Sequence, residues 1–150
     1  FAARVLDVHE WLAPQMGRLP TGRQTAGSVI VHDPCHLRHA QGCHGAVRDV
    51  LQPYMEVVEL DDEGLCCGAG GAYSLTEPVL ADEVRQRKVA AIGRAAGRSG
   101  ATVVVSANPG CTMHLVAAGV DVRHPMEVLA EALREDPAEA GIGESVGDAG

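Results

Sequence analysis

Four cysteines stand in short stretches crowded with glycine, proline and histidine: Asp33-Pro34-Cys35-His36, Cys66-Cys67-Gly68-Ala69-Gly70-Gly71 and Asn108-Pro109-Gly110-Cys111. Thiolates bind soft metal ions, and the iron of iron–sulfur clusters is held chiefly by them. A buried thiolate needs positive potential at neutral pH. The free N–H groups at the start of a helix supply it, as does a glycine-rich backbone nest. Cys111 falls where a short helix is expected to begin. Gly68, Gly70 and Gly71 let the backbone approach sulfur and bend enough for two adjacent cysteines to serve one site. Cys35, Cys66, Cys67 and Cys111 are therefore expected to form an iron–sulfur site. Cys43 has no matching position and reads as a spare thiol. His36, His39, His44, His114 and His124 are candidate nitrogen donors, though loop and surface histidines are the commoner case. Asp33 reads as a turn residue whose carboxylate accepts from nearby backbone N–H groups.

Elements that alternate along the chain would bring these loops together. Residues 2–18 carry Val5, Val8, Leu12 and Met16 at helical spacing, which predicts a helix. Pro20, Gly22 and Gly27 mark a linker. The β-branched runs 28–32, 57–60 and 102–106 predict strands, and 120–123 a weak fourth. Helices are expected from Gly45 to Pro53, from Thr76 (as N-cap) to Gly97 and Gly100, from Cys111 through Val116, and from Pro125 onward. The helix after Thr76 is expected to pack through Leu80, Val84, Val89 and Ile92. This order predicts an α/β fold: about four parallel strands with helices on both faces. In such a sheet the loops after the strands share one edge, where ligands bind. Cys35, the Cys66–Cys67 pair and Cys111 follow strands one, two and three, and His124 follows strand four. Any one loop alone suits a turn with a buried thiol; the joint placement of three is hard to reach by accident.

The chain has 150 residues, 46% hydrophobic and only 3% aromatic, so its core must be aliphatic and alanine-rich. The expected division is a helix and linker over 1–27, the cysteine-bearing α/β domain over 28–136, and a disordered acidic, glycine-rich tail over 137–150. The chain starts at Phe1, which suggests a piece of a larger protein. A net charge of −8 argues against nucleic acid as a partner. No apolar run approaches the roughly 20 residues of a membrane span. Five cysteines, an odd number, and no secretory signal make a disulfide framework a poor fit.

In order, Asp33-Pro34-Cys35-His36, Cys66-Cys67-Gly68 and Asn108-Pro109-Gly110-Cys111 resemble the cysteine-rich CCG domain. That domain occurs in the cysteine-rich subunit of heterodisulfide reductase and in the iron–sulfur subunits of glycolate oxidase, anaerobic glycerol-3-phosphate dehydrogenase and lactate-utilisation enzymes. The stretches from His32 to Gly42 and from Ala107 to Cys111 look most like the glycolate oxidase iron–sulfur subunit. The resemblance covers about residues 28–133. It implies a 4Fe-4S or non-cubane cluster on Cys35, Cys66, Cys67 and Cys111. It also implies a second CCG domain and a ferredoxin-like domain preceding this one in a longer parent chain, and a flavin-containing dehydrogenase subunit as partner. The expected setting is cytoplasmic, with attachment to the inner membrane through partners. The family pattern closes Cys-x-x-Cys, whereas this chain has Cys111-Thr112-Met113-His114; His114 either replaces a thiolate or marks a lost ligand.

Three functions follow as rivals. The first is an electron-transfer domain serving a 2-hydroxyacid dehydrogenase. The flavin would lie on another chain, since no G-x-G-x-x-G follows a strand here. The second is a heterodisulfide reductase-type catalytic cluster. The third is a zinc-binding or metal-free docking domain, ranked last because zinc sites usually use Cys-x-x-Cys pairs.

Overall fold

The computed structural model describes residues 5–20 and 27–134. The chain runs through α1 (Val8–Leu12), a 3-10 segment (Ala13–Arg18), β1 (Ser28–Val31), a π-helical turn (His36–Gln41), α2 (Gly45–Leu51) and β2 (Glu56–Glu59). It continues through α3 (Tyr73–Thr76), α4 (Pro78–Ser99), β3 (Val103–Val105), α5 (Pro109–Val116), β4 (Val122–Arg123) and α6 (Pro125–Arg134). The strands form one four-stranded sheet in the order β2-β1-β3-β4. Every pairing is parallel, with Val29 opposite both Val57 and Val103, and Val104 opposite Val122.

The α/β fold expected from the alternating elements is the one observed. Successive strand residues point to opposite faces, and each face has its own core. Val29, Val31 and Val105 pack with Leu12, Val47, Val50, Leu51, Tyr54 and Leu129, so α1, α2 and α6 cover one face. Ile30 and Val104 pack with Ile92, Ala95, Cys67, Cys111 and Leu115, so α4 and α5 cover the other. The core is aliphatic with many alanines, as the composition required: Ala69, Ala81, Ala91, Ala95, Ala101 and Ala132 are all buried. No helix among the described residues is long and apolar enough to cross a membrane.

From the middle of the sheet, the chain goes from β1 outward to β2, then crosses to β3 on the other side of β1. The direction of winding thus reverses between β1 and β3, and the carboxyl edge at such a switch point is the usual ligand position in these sheets.

Several local expectations give way. In place of a helix over 2–18, α1 starts only at Val8, where the Asp7 side chain accepts from His9 N. The ladder then tightens to 3-10 geometry around Pro14, which lacks an N–H and cannot continue an α-helix. Val5 and Val8 are exposed, while Leu12 is buried. Thr76 closes α3, its hydroxyl donating to Tyr73 O. The cap position of α4 is Glu77, which makes no side-chain capping bond. Leu80 is exposed, whereas Ile92 is buried as expected with Val89 packed against the same core, and α4 also buries Ala81, Lys88, Ala91 and Ala95. Gly97 lies within α4, and Gly100, at φ 76°, ends it. The expected tail over 137–150 and most of the expected linker lie outside the described residues.

Candidate metal centre

Strand alternation sets the first component. Val29 and Val31 face one core, so Ile30 and the next even residue, His32, face the other. His32 is 1% exposed. Its ring and the Sγ atoms of Cys67 and Cys111 offer donor atoms all within 4.8 Å of one another, and all three residues are buried. They follow β1, β2 and β3 respectively, as the topology requires.

The loop after β2 brings Cys67 inward. Gly68, Gly70 and Gly71 all have positive φ, which explains how two adjacent cysteines can bend toward one place. At Gly68 the fit is tight: a Cβ would lie 2.4 Å from the Ala81 carbonyl oxygen of α4 and 3.2 Å from His114 Nε2. Gly68 N donates to Cys66 Sγ at 3.3 Å, the expected approach of backbone N–H to sulfur.

Cys111 sits in the first turn of α5, one turn after Asn108. The Asn108 side chain accepts from Cys111 N at 3.1 Å. Its amide nitrogen lies 3.3 Å from His36 Nδ1, tying the β3 loop to the β1 loop. Asn108→Ala is expected to cost about 1 kcal/mol, the usual worth of such a cap. A urea unfolding curve checks this, with Asn108→Asp retaining most of the stability.

The thiols are unequal. The facing Cys67 thiol holds Cys111 below its ordinary pKa against the opposing effect of burial. Cys67 is pushed up, first by Cys111 and then by burial. Cys66 is pushed up by its contact with Cys67 and by burial. Cys111 is thus the first of the three to become a thiolate, at a helix start where the dipole favours negative charge. His32 is lowered to about 4, chiefly by burial and then by the Lys88 charge, so its imidazole is neutral at pH 7.

An ionic frame ties the carboxyl ends of β1 and β2 together. Arg48 binds Asp33 at 2.7 and 3.0 Å and Glu59 with two bonds of 2.7 Å, clamping the end of β1 to the end of β2. Arg38 reaches Asp33 at 3.4 Å. The Asp33 carboxylate therefore engages arginines rather than the backbone N–H groups expected for it. Lys88, 1% exposed, meets Asp62 at 2.5 Å.

The remaining candidates separate clearly. Cys66 is half-buried beside Cys67, and Cys35 is exposed on the rim, near enough to Cys111 for their charges to interact. His114 lies on α5 against Gly68, outside the converging group. Cys43 packs with the opposite core. His124 pairs with His9, ring centroids 5.4 Å apart. The sequence reading missed His32 as a donor, although alternation along β1 marks it.

The donors fit an iron–sulfur group. They are thiols and imidazole, with no carboxylate among the converging three, a set that suits soft and borderline metals and not magnesium or calcium. Both His32 ring nitrogens and His114 Nε2 are buried without a hydrogen-bond partner among the described residues. Each such atom costs about 1–3 kcal/mol if left unsatisfied.

Residues 29–116 match the CCG cysteine-rich domain family. The glycolate oxidase iron–sulfur subunit of Escherichia coli (strain K12) is 40% identical over 111 residues, which is 72% of this chain and 26% of that protein. A fumarate reductase (CoM/CoB) subunit of Methanothermobacter marburgensis is 31% identical over 113 residues, 74% of this chain and 22% of that protein. Lactate utilization protein A 1 of Bacillus mycoides is 26% identical over 143 residues, 93% of this chain and 57% of that protein. The chain thus spans about a quarter of the length of the first two relatives. With more than half of its residues matched and the three cysteine loops at one sheet edge, the chain belongs to the CCG cysteine-rich domain family.

Proposed function

We propose that this chain is the cluster-holding electron-transfer domain of a longer iron–sulfur subunit serving a glycolate- or lactate-type 2-hydroxyacid dehydrogenase. The observation that carries the reading is the convergence of buried Cys67, Cys111 and His32, with Cys66 beside them and Cys35 on the rim. The names of the Escherichia coli and Bacillus mycoides relatives support the substrate class. Residues 28–136 form the cysteine-rich unit, and Cys35, Cys66, Cys67 and Cys111 ligate a 4Fe-4S or non-cubane cluster. When bound, that group supplies one-electron redox chemistry. The protein excludes water through the Ile30, Val104 and Leu115 side of the core, holds Cys111 as the readiest thiolate, and leaves Cys35 facing a partner. The partners are a flavin-bearing dehydrogenase subunit and the remaining domains of the parent chain, including a second CCG and a ferredoxin-like domain. Their setting is the cytoplasm, at the inner membrane through those partners.

Metal and acid-labile sulfide content, with an anaerobic visible spectrum, test this on the chain and on its parent subunit. About four irons and four sulfides per site with a broad brown absorption are the expected result. A second reading has one observation in its favour: Cys66, Cys67, Cys111 and His32 make a Cys3His set, a known composition of structural zinc sites. One tightly held zinc per chain and no colour would put that reading first.

A further inference from the structure

We propose that His32 is itself a ligand of the group held at this site, a fifth donor that a non-cubane group takes beside the four cysteines, binding through a ring nitrogen near Cys67 and Cys111; the proposal rests on the iron–sulfur reading above. Three observations carry it. The ring is 1% exposed, yet neither nitrogen has a hydrogen-bond partner among the described residues. A neutral imidazole carries one N–H to donate and one lone pair to fill. Buried His9 differs in having one ring nitrogen engaged, its Nδ1 lying 2.7 Å from Asp7 Oδ1, with only Nε2 left without a partner among the described residues.

The second observation is distance. The His32, Cys67 and Cys111 donor atoms lie within 4.8 Å of one another, so iron held by either thiol lies within reach of the His32 ring. The third is rigidity. His32 extends directly from β1, and His32 N donates to Val105 O at 2.9 Å, which fixes its backbone to β3.

His114 is the histidine at the position where the family pattern has its last cysteine, but its Nε2 lies against Gly68. The nitrogen aimed among the thiols is that of His32.

The experiment uses the anaerobically reconstituted parent subunit with 14N- or 15N-labelled histidine. Pulsed electron paramagnetic resonance of the reduced centre reads nitrogen bound directly to iron. Wild type and His114→Gln are expected to show the isotope-sensitive coupling, and His32→Gln to lack it and to hold iron at least about 100-fold more weakly, beyond the cost of losing a mere supporting contact. If His32→Gln loads no iron, His32→Cys decides: a thiolate there restores loading without the nitrogen coupling. Iron-loaded wild type without directly bound nitrogen, or a coupling that survives in His32→Gln or His32→Cys, overturns the role of His32 and leaves the cluster reading standing. A wild-type subunit that holds no iron overturns both.

Discussion

Replacing Cys67 by serine is expected to lower iron retention by at least about 100-fold, since loss of a supporting contact alone already costs about 10–100-fold in metal affinity. Cys67 is 2% exposed and lies between the other thiols: its sulfur interacts with both Cys66 and Cys111. A hydroxyl there is a harder, far less acidic donor. The fold should survive, because serine is close to the thiol in size and the glycines that shape the loop are untouched. Circular dichroism checks the fold, and iron analysis after gel filtration under anaerobic conditions checks the loss. Cys43→Ser is the matched control. Cys43 packs against the opposite core, so its replacement should leave iron content unchanged. Equal losses in both variants would mean that iron is held elsewhere or nonspecifically.

The features of this molecule that are legible in its sequence are those set by local chemistry. Val29-Ile30-Val31 and Val103-Val104-Val105 are β-branched runs too short for helices, and they become the central strands. Val47, Val50, Leu51 and Tyr54 share a helical face and are all buried. Given parallel strands in alternation with helices, the meeting of three loops at one edge follows from topology alone. What stays hidden depends on partners distant in sequence. Lys88 looks like a solvated helix residue until Asp62, 26 residues earlier, meets it in the interior. Arg48 gains its place from Asp33 and Glu59 together. The start of α1 departs from expectation because apolar spacing continues upstream of a better cap, Asp7, and the hydrophobic face of Val5 and Val8 meets no core among the described residues. His32 is readable in principle, since it continues the alternation of β1 by one residue. Its neighbours Asp33-Pro34-Cys35 carry the stronger local signal, and a single histidine after a strand looks like any buried core residue until the two thiols meet it.

The second large effect concerns the buried ion pair under the site. Lys88→Met is expected to destabilise the fold by about 3–5 kcal/mol, the usual cost of removing one member of a buried pair and stranding the other. Against a typical total of about 5–15 kcal/mol, that is enough to leave a substantial unfolded fraction on mild heating. The Asp62 side chain is 7% exposed and sits 2.5 Å from Lys88 Nζ. Its other oxygen accepts from Gly64 N at 3.1 Å, a single bond that cannot solvate a full charge. The double variant Lys88→Met, Asp62→Asn should recover most of the loss, because the stranded carboxylate is then gone and an amide oxygen can keep the Gly64 contact. Urea unfolding of the two single variants and the double variant measures the coupling. A loss under about 1 kcal/mol for Lys88→Met would mean that water reaches the pair as at an exposed salt bridge. The consequence reaches the site through α4, which carries both Lys88 and the Ala81 carbonyl against which Gly68 is fitted. A helix no longer anchored at Lys88 ceases to hold the Cys66–Cys67 loop in place. Lys88→Met should therefore also weaken iron retention, although Lys88 offers the metal no donor of its own. Iron retention in the double variant should follow the recovered stability, which separates this seating effect from direct ligation.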